Sequence, residues 1–266
     1  ELTAVGAWSH STPSSRRAAR AALASNRTGL LESVRLRLRH AQPGERVRAI
    51  LLARALGFVD DVLPQILELA RDSEPVDGPV LPTAVAALAD ARSPEALAAV
   101  RDCLAHAHPR ACANAIEAVG ARRASASEVS NDLATSDPSL FGKLVELKDD
   151  DRHRVRATAL RSLLLAAAGR STGSVATAEP AASEALQAML SDERPMHRIA
   201  GLWLVERLAL GPGLRVIGPT WNAVASEVAV MAKDDPEPIV RTRGLRAARR
   251  LLARPLPRGL LVEAAP

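Results

Sequence analysis

Cys103, His106, His108 and Cys112 place four potential soft or borderline metal ligands within ten residues. Zinc takes such nitrogen and sulfur ligands tetrahedrally, and Cys103 and His106, three residues apart, would share one helix face. The spacing matches no common zinc pattern. Cysteine also fills tight helix contacts as alanine does, and histidine near a helix C-terminus is favoured by the helix dipole. The balance favours packing residues, so we assign no metal and no cofactor, while the spacing alone leaves a metal open.

Catalytic constellations are weaker. Gly211, Pro212 and Gly213 are followed by no Lys-Ser or Lys-Thr pair, so they form no phosphate loop. No Gly-x-Ser-x-Gly elbow occurs, and Asp149, Asp150 and Asp151 read as a solvated turn that caps the next helix. His10, His40, His153 and His197 are scattered over different segments. The expectation is a protein that is not an enzyme.

Arginine is the other chemically able residue. Seven Arg and no acid lie between Arg241 and Arg258, and seven more face a single acid, Glu32, between Arg16 and Arg39. Between them Asp60, Asp61, Glu68, Asp72, Glu74 and Asp77 make an acidic stretch. Such ends could hold an acidic protein segment, a nucleic-acid backbone or an anionic membrane surface. Against this, Arg stems commonly lie along helices with their heads in water, and an Arg-for-Lys preference with abundant Ala is what a GC-rich, bacterial genome writes. Arg35, Arg39, Arg243, Arg246, Arg249 and Arg250 are the candidates for partner binding.

The elements that must position these residues are helices. The apolar fraction is 47% but aromatics are only 2%, and Ala and Leu, the best apolar helix formers, carry the bulk. The longest apolar run, 163–169, is too short to cross a bilayer. Two cysteines in 266 residues argue against a disulfide-stapled scaffold. The chain opens at Glu1 without Met or a basic-then-apolar leader, so we expect a mature form or a piece of something longer, in the cytoplasm.

A block recurs in which an apolar residue precedes Arg and small and large apolar residues follow at helical spacing. Val47-Arg48, Val155-Arg156 and Val240-Arg241 open clear copies; His197-Arg198 and Pro109-Arg110 open variants, and a copy near Leu81 lacks its Arg. Anchors at 48, 81, 110, 156, 198 and 241 are separated by 33, 29, 46, 42 and 43 residues, a period that two helices fill and one cannot. Second apolar-periodic segments fall at 61–70, 94–106, 139–147, 182–190 and 220–233, each announced by a turn or cap signal such as Ser93-Pro94 or Asp137-Pro138. Val34 to Arg39 alternates like a strand, but its context makes it a basic amphipathic helix.

These blocks, with Asp149-Asp150-Asp151 before Val155-Arg156 and Asp234-Asp235 before Val240-Arg241, resemble the second helices of HEAT and armadillo-like repeats. The resemblance implies an all-α, right-handed α-α superhelix, a solenoid of about six antiparallel helix pairs. It also implies that turn Asp and helix Arg pair along the stack, which makes Arg48, Arg110, Arg156, Arg198 and Arg241 structural ladder residues. We expect an extension at 1–14, one repeat domain at 15–253 with loop insertions near 121–138 and 170–183, a short extra helix at 131–135, and a tail at 254–266. HEAT-type DNA glycosylases rely on aromatic side chains and an acid in a cleft; Trp8, Trp203 and Trp221, the only Trp, build no such cleft, and Trp203 reads as core. No motif speaks for the helical-repeat phycobilin lyases. The expected function is a protein-interaction scaffold with a concave, partly Arg-rich surface; nucleic acid is the alternative partner.

Overall fold

A computed structural model describes residues 26–71, 78–125, 138–168, 178–209 and 221–253. These residues hold twelve α-helices and no strand. In order they are α1 (Arg27–Leu38), α2 (Pro43–Leu56), α3 (Leu63–Arg71), α4 (Val80–Leu88), α5 (Pro94–Asp102), α6 (Pro109–Ser125), α7 (Pro138–Leu147), α8 (His153–Ala168), α9 (Ala178–Leu190), α10 (Pro195–Ala209), α11 (Trp221–Asp234) and α12 (Pro238–Leu252). Short 3₁₀ turns precede α3 at Asp60–Val62 and follow α5 at Cys103–Ala105. The chain is all-α and built from consecutive helix pairs, the arrangement that the repeated blocks resemble.

Proline sets many of the starts. Pro43, Pro94, Pro109, Pro138, Pro195 and Pro238 each open a helix, where the missing N–H costs nothing because the first-turn amides lack intrahelical acceptors anyway. Ser93 adds a cap, its hydroxyl accepting the Ala96 amide at 3.1 Å. α2 ends at Gly57, whose φ of 72° lies in the left-handed region that glycine enters without penalty. The Phe58 amide then reaches the Ala53 carbonyl at 2.8 Å and closes the helix end.

The chain divides into two compact units, 1–118 and 119–266, with the division inside α6. In the first unit α1 packs on α2, α3 on α4 and α2 on α4, around a core that includes Val34, Ile50, Ile66, Val85 and Leu88. In the second, α7 packs on α8, α9 on α10 and α11 on α12, while α8, α10 and α12 also touch in succession. Their shared core runs from Leu160 and Leu164 through Leu186, Leu190, Leu202 and Leu208 to Val228 and Val240. Among the described residues these helices pack on those one or two places away in sequence, as stacked repeats do. At Gly244 α12 lies close against α11: a Cβ there would lie 2.8 Å from the Ala232 backbone.

Some boundaries differ from expectation. α9 begins at Ala178 and α6 runs to Ser125, so both presumed insertions are helical at one end. Proline in the first turn of α9, Pro180, reads as a breaker in sequence but is tolerated there. The extension at 1–14, the extra helix at 131–135, Trp8 and the tail at 254–266 lie outside the described residues. Among the described residues no helix is long and apolar enough to cross a membrane.

Candidate functional site

The turns that feed α8, α10 and α12 share one construction. Asp150, Asp192 and Asp235 each accept the backbone N–H two residues on, from Arg152, Arg194 and Glu237, at 2.8, 2.9 and 2.9 Å. Six residues after each Asp stands an Arg: Arg156, Arg198 and Arg241. Arg198 shows the full arrangement. Its Nη1 donates to the Asp192 and Glu193 carbonyls of its own turn at 2.8 and 2.9 Å. Its Nε and Nη2 clamp the Asp235 carboxylate of the next turn at 2.8 and 2.9 Å. Both partners are buried, at 9% and 8% exposure, so this bidentate pair is shielded from water.

Arg156 lies in the same relation to Asp192 but at 3.9 Å, too far for a hydrogen bond. Arg194 instead holds Asp192 through Nε and Nη2, both at 3.0 Å. Arg241 donates through Nη1 to the Asp235 and Pro236 carbonyls at 2.6 and 3.1 Å, as Arg198 does to its own turn.

The charges follow this geometry. Hydrogen bonds from Arg194, first from its side chain, hold the Asp192 carboxyl far below the usual carboxylate range, and Arg152 does the same more mildly for Asp150. Burial pushes Asp235 upward, but the Arg198 hydrogen bonds, the Glu237 amide and the charges of Arg198 and Arg241 outweigh it. His197 is buried with Nδ1 3.6 Å from Asp192 Oδ2, and its ring stands edge-on to His153 at 5.8 Å between centroids. Burial lowers the pKa of both imidazoles; for His197 the nearby Asp192 only partly opposes it.

The first unit closes its turns differently. His40 Nδ1 accepts the Gln42 amide at 3.1 Å, and His106 Nδ1 accepts the His108 amide at 3.0 Å, each two residues on. His108 goes further: Nδ1 accepts the Arg110 and Ala111 amides at 3.1 and 3.4 Å, which caps α6. An accepting Nδ1 requires the Nε2–H tautomer, so Nε2 donates to the Gly78 carbonyl at 3.1 Å. The Cys112 thiol donates to the Leu104 carbonyl at 3.2 Å. Burial, then Asp102 and Cys112, pushes the Cys103 thiol up to about 11. Three of the four residues that sequence groups as ligands, His106, His108 and Cys112, thus engage the backbone through their side chains.

Counting from the turn residue corrects the ladder. Six residues after His40 comes Arg46, and six after His106 comes Cys112. Arg48 and Arg110 are therefore two positions out of register. Arg48 is exposed and pairs within its own helix with Glu45 at 2.6 Å, while Arg110 is exposed. Contacts between successive pairs here include Arg54 Nε to Asp90 Oδ2 at 2.7 Å and Asn114, whose Nδ2 donates to the Pro82 carbonyl at 2.7 Å.

The partner candidates separate into engaged and open. Arg35 donates to Glu32 at 2.6 Å and to the Asp61 carbonyl at 3.3 Å. Arg246 Nε meets Glu206 Oε2 at 3.1 Å. Glu206 is a buried carboxylate whose Oε1 has no partner among the described residues, and sequence alone did not single it out. Arg39 is exposed at the mouth of a groove of about 590 Å³ that Arg46, Glu68 and Arg71 also line. Arg249 and Arg250 are exposed on α12, with Arg243 half-buried. Trp203 is half-buried against the core, under Arg207 at 5.7 Å. Trp221 opens α11.

No family model matches the sequence, and no curated protein matches it. Among solved structures the chain is similar to two engineered proteins from a structural genomics consortium. One is 15% identical, with 84% of this chain and 96% of the other covered and a TM-score of 0.42; the second is 20% identical, with 84% and 99% covered and a TM-score of 0.45. It is also similar to a designed armadillo repeat protein, 19% identical, with 84% and 99% covered and a TM-score of 0.40. The paired-helix assignment rests on the chain's own helices and turns.

Proposed function

We propose that the protein is a non-enzymatic interaction scaffold whose α12 surface recognises an acidic segment of another protein. One observation carries the reading: α12 bears five Arg and no acid, and among the described residues only Arg246 has a carboxylate partner within ion-pair distance. Stacked helices hold such side chains in fixed relation, so binding need not order the receptor and more of the contact energy appears as affinity. Exposed Ile239 and Leu245 stand among the arginines, at 58% and 51% exposure, which suits an amphipathic protein segment better than a phosphate backbone.

Fluorescence anisotropy tests this with a labelled Glu- and Leu-containing peptide and, separately, a duplex oligonucleotide. The peptide is expected to bind, with affinity lost in the Arg243→Glu, Arg249→Glu, Arg250→Glu variant. Unchanged peptide binding by that variant would defeat the proposal. Tighter binding of the oligonucleotide, falling steeply with salt, would favour a nucleic-acid partner instead.

A further inference from the structure

We infer that α12 presents a half-built ladder rung, with Arg241 as its open fork, and that an acidic amphipathic helix of a partner protein completes it. This rests on the scaffold reading above and specifies where and how the partner docks.

α12 corresponds residue by residue to α10, which stands 43 positions earlier in one register. Gly201 and Gly244 correspond, and each faces the preceding helix of its own pair, α9 or α11, so closely that a Cβ would crowd it. Arg198 and Arg241 correspond, and both fix Nη1 on the first two carbonyls of their own turns. In Arg198 the remaining edge, Nε and Nη2, grips Asp235. In Arg241 that edge holds no carboxylate among the described residues. A planar guanidinium anchored at one nitrogen has its fork already oriented, so little freedom is left to lose on binding a carboxylate.

The apolar face beside the fork corresponds as well. Leu202, Val205 and Ala209 of α10 are 0%, 0% and 2% exposed. Their counterparts on α12 are Leu245 at 51%, Ala248, which is half-buried, and Leu252 at 84%. Among the described residues, the face that α10 buries is therefore left open on α12, next to a fork that holds no carboxylate.

Charge selects the occupant. With five Arg on α12, a complementary helix must be acidic, and its apolar stripe must meet Leu245 and Leu252. A second copy joined head to tail fits poorly: its first described turn carries His40 where the rung needs a carboxylate, and α1 is itself Arg-rich.

The test titrates the full chain against a fluorescein-labelled amphipathic peptide of Leu, Ala and Glu opened by Asp-Pro-Glu-Pro, and against its Asn and Gln counterpart. The acidic peptide should bind, and its counterpart weakly. Arg241→Lys, which keeps the charge but loses the fork, and Leu245→Ser, at an exposed site, should each weaken binding about tenfold while the chain remains folded by circular dichroism. If both variants bind like the parent while Arg249→Glu weakens binding, the rung proposal falls and the scaffold reading stands. If the parent does not bind the peptide, or no α12 variant alters binding, both fall. Concentration-dependent self-association abolished by Arg241→Lys would overturn the inference in favour of a second copy.

Discussion

The turns that feed α8, α10 and α12 in the second unit are closed by carboxylates and those that feed α2 and α6 in the first by imidazoles, yet the backbone job is the same. Asp150, Asp192, Asp235, His40 and His106 all accept the amide two residues on. The two acceptors differ in what else they can do. A carboxylate has a second oxygen and a charge to offer a guanidinium of the neighbouring pair, as Asp235 does for Arg198. A neutral imidazole has one acceptor and one donor, and His108 spends the donor on the Gly78 carbonyl. Ion pairing between successive pairs is therefore buried at the Asp235 turn, while in the first unit it is exposed, Arg27 to Asp61 at 2.6 Å and Arg54 to Asp90 at 2.7 Å, beside neutral hydrogen bonds such as Asn114 to Pro82.

Breaking the strongest rung should show the contrast most sharply. Arg198→Ala strands the buried Asp235 carboxylate and is expected to destabilise the protein by about 3 kcal/mol. Arg48→Ala removes only an exposed pair within one helix and should change stability by less than about 0.5 kcal/mol. Urea denaturation of both variants compares them directly, and equal midpoints would dissolve the distinction. Next, Gly244→Ala should cost about 2 kcal/mol because its methyl meets the Ala232 backbone. Gly142→Ala, at an exposed helical site with nothing within 4 Å, should instead stabilise by about 0.5–1 kcal/mol. Calorimetry reads the opposite signs.

In the first unit His108→Ala should cost about 1–2 kcal/mol by uncapping α6, and His108→Asp should recover part of that, since it restores an acceptor but not the donor to Gly78. A full recovery would mean the Gly78 contact contributes nothing. The smallest effect is in pH. His153 and His197 hold pKa values below the ordinary 6.5, so the folded chain resists protons that the unfolded chain accepts. Their contribution is fully present above 6.5 and is lost as pH falls through the lower folded values. Asp150, Asp192 and Asp235 sit below 3.8 and stay ionised throughout that range. Thermal midpoints should thus drop on mild acidification, and the double variant His153→Gln, His197→Gln should flatten the drop.

Ala-Leu periodicity and the helix-opening prolines made the helix pairs legible in sequence; four of the five second segments, 61–70, 139–147, 182–190 and 220–233, fall within a few residues of α3, α7, α9 and α11. The fifth, 94–106, is α5 followed by a 3₁₀ turn. Register within the pairs was harder. Arginines recur along one helix, as Arg46, Arg48 and Arg54 do on α2, so aligning Val47-Arg48 with Val155-Arg156 was ambiguous by half a turn. The missed signal is the spacing from turn acceptor to proline: His40 to Pro43, His106 to Pro109, Asp192 to Pro195 and Asp235 to Pro238 are all three residues. Read that way, Arg46 replaces Arg48, and His106 becomes a turn residue instead of a ligand. Glu206 was not legible, because only packing shows that a polar position on α10 faces inward.

The rung has a consequence for inheritance. Its donor and its acceptor, Arg198 and Asp235, are encoded 37 residues apart on different helix pairs, and the arginines recur every 42 or 43 residues. Excising a whole period keeps a guanidinium opposite Asp235, with Arg156 able to inherit the place of Arg198. A shorter insertion or deletion inside a period shifts one partner off the other and buries a lone charge. Selection would then pass changes of length in whole steps and discard the rest, so such a chain grows and shrinks by counting.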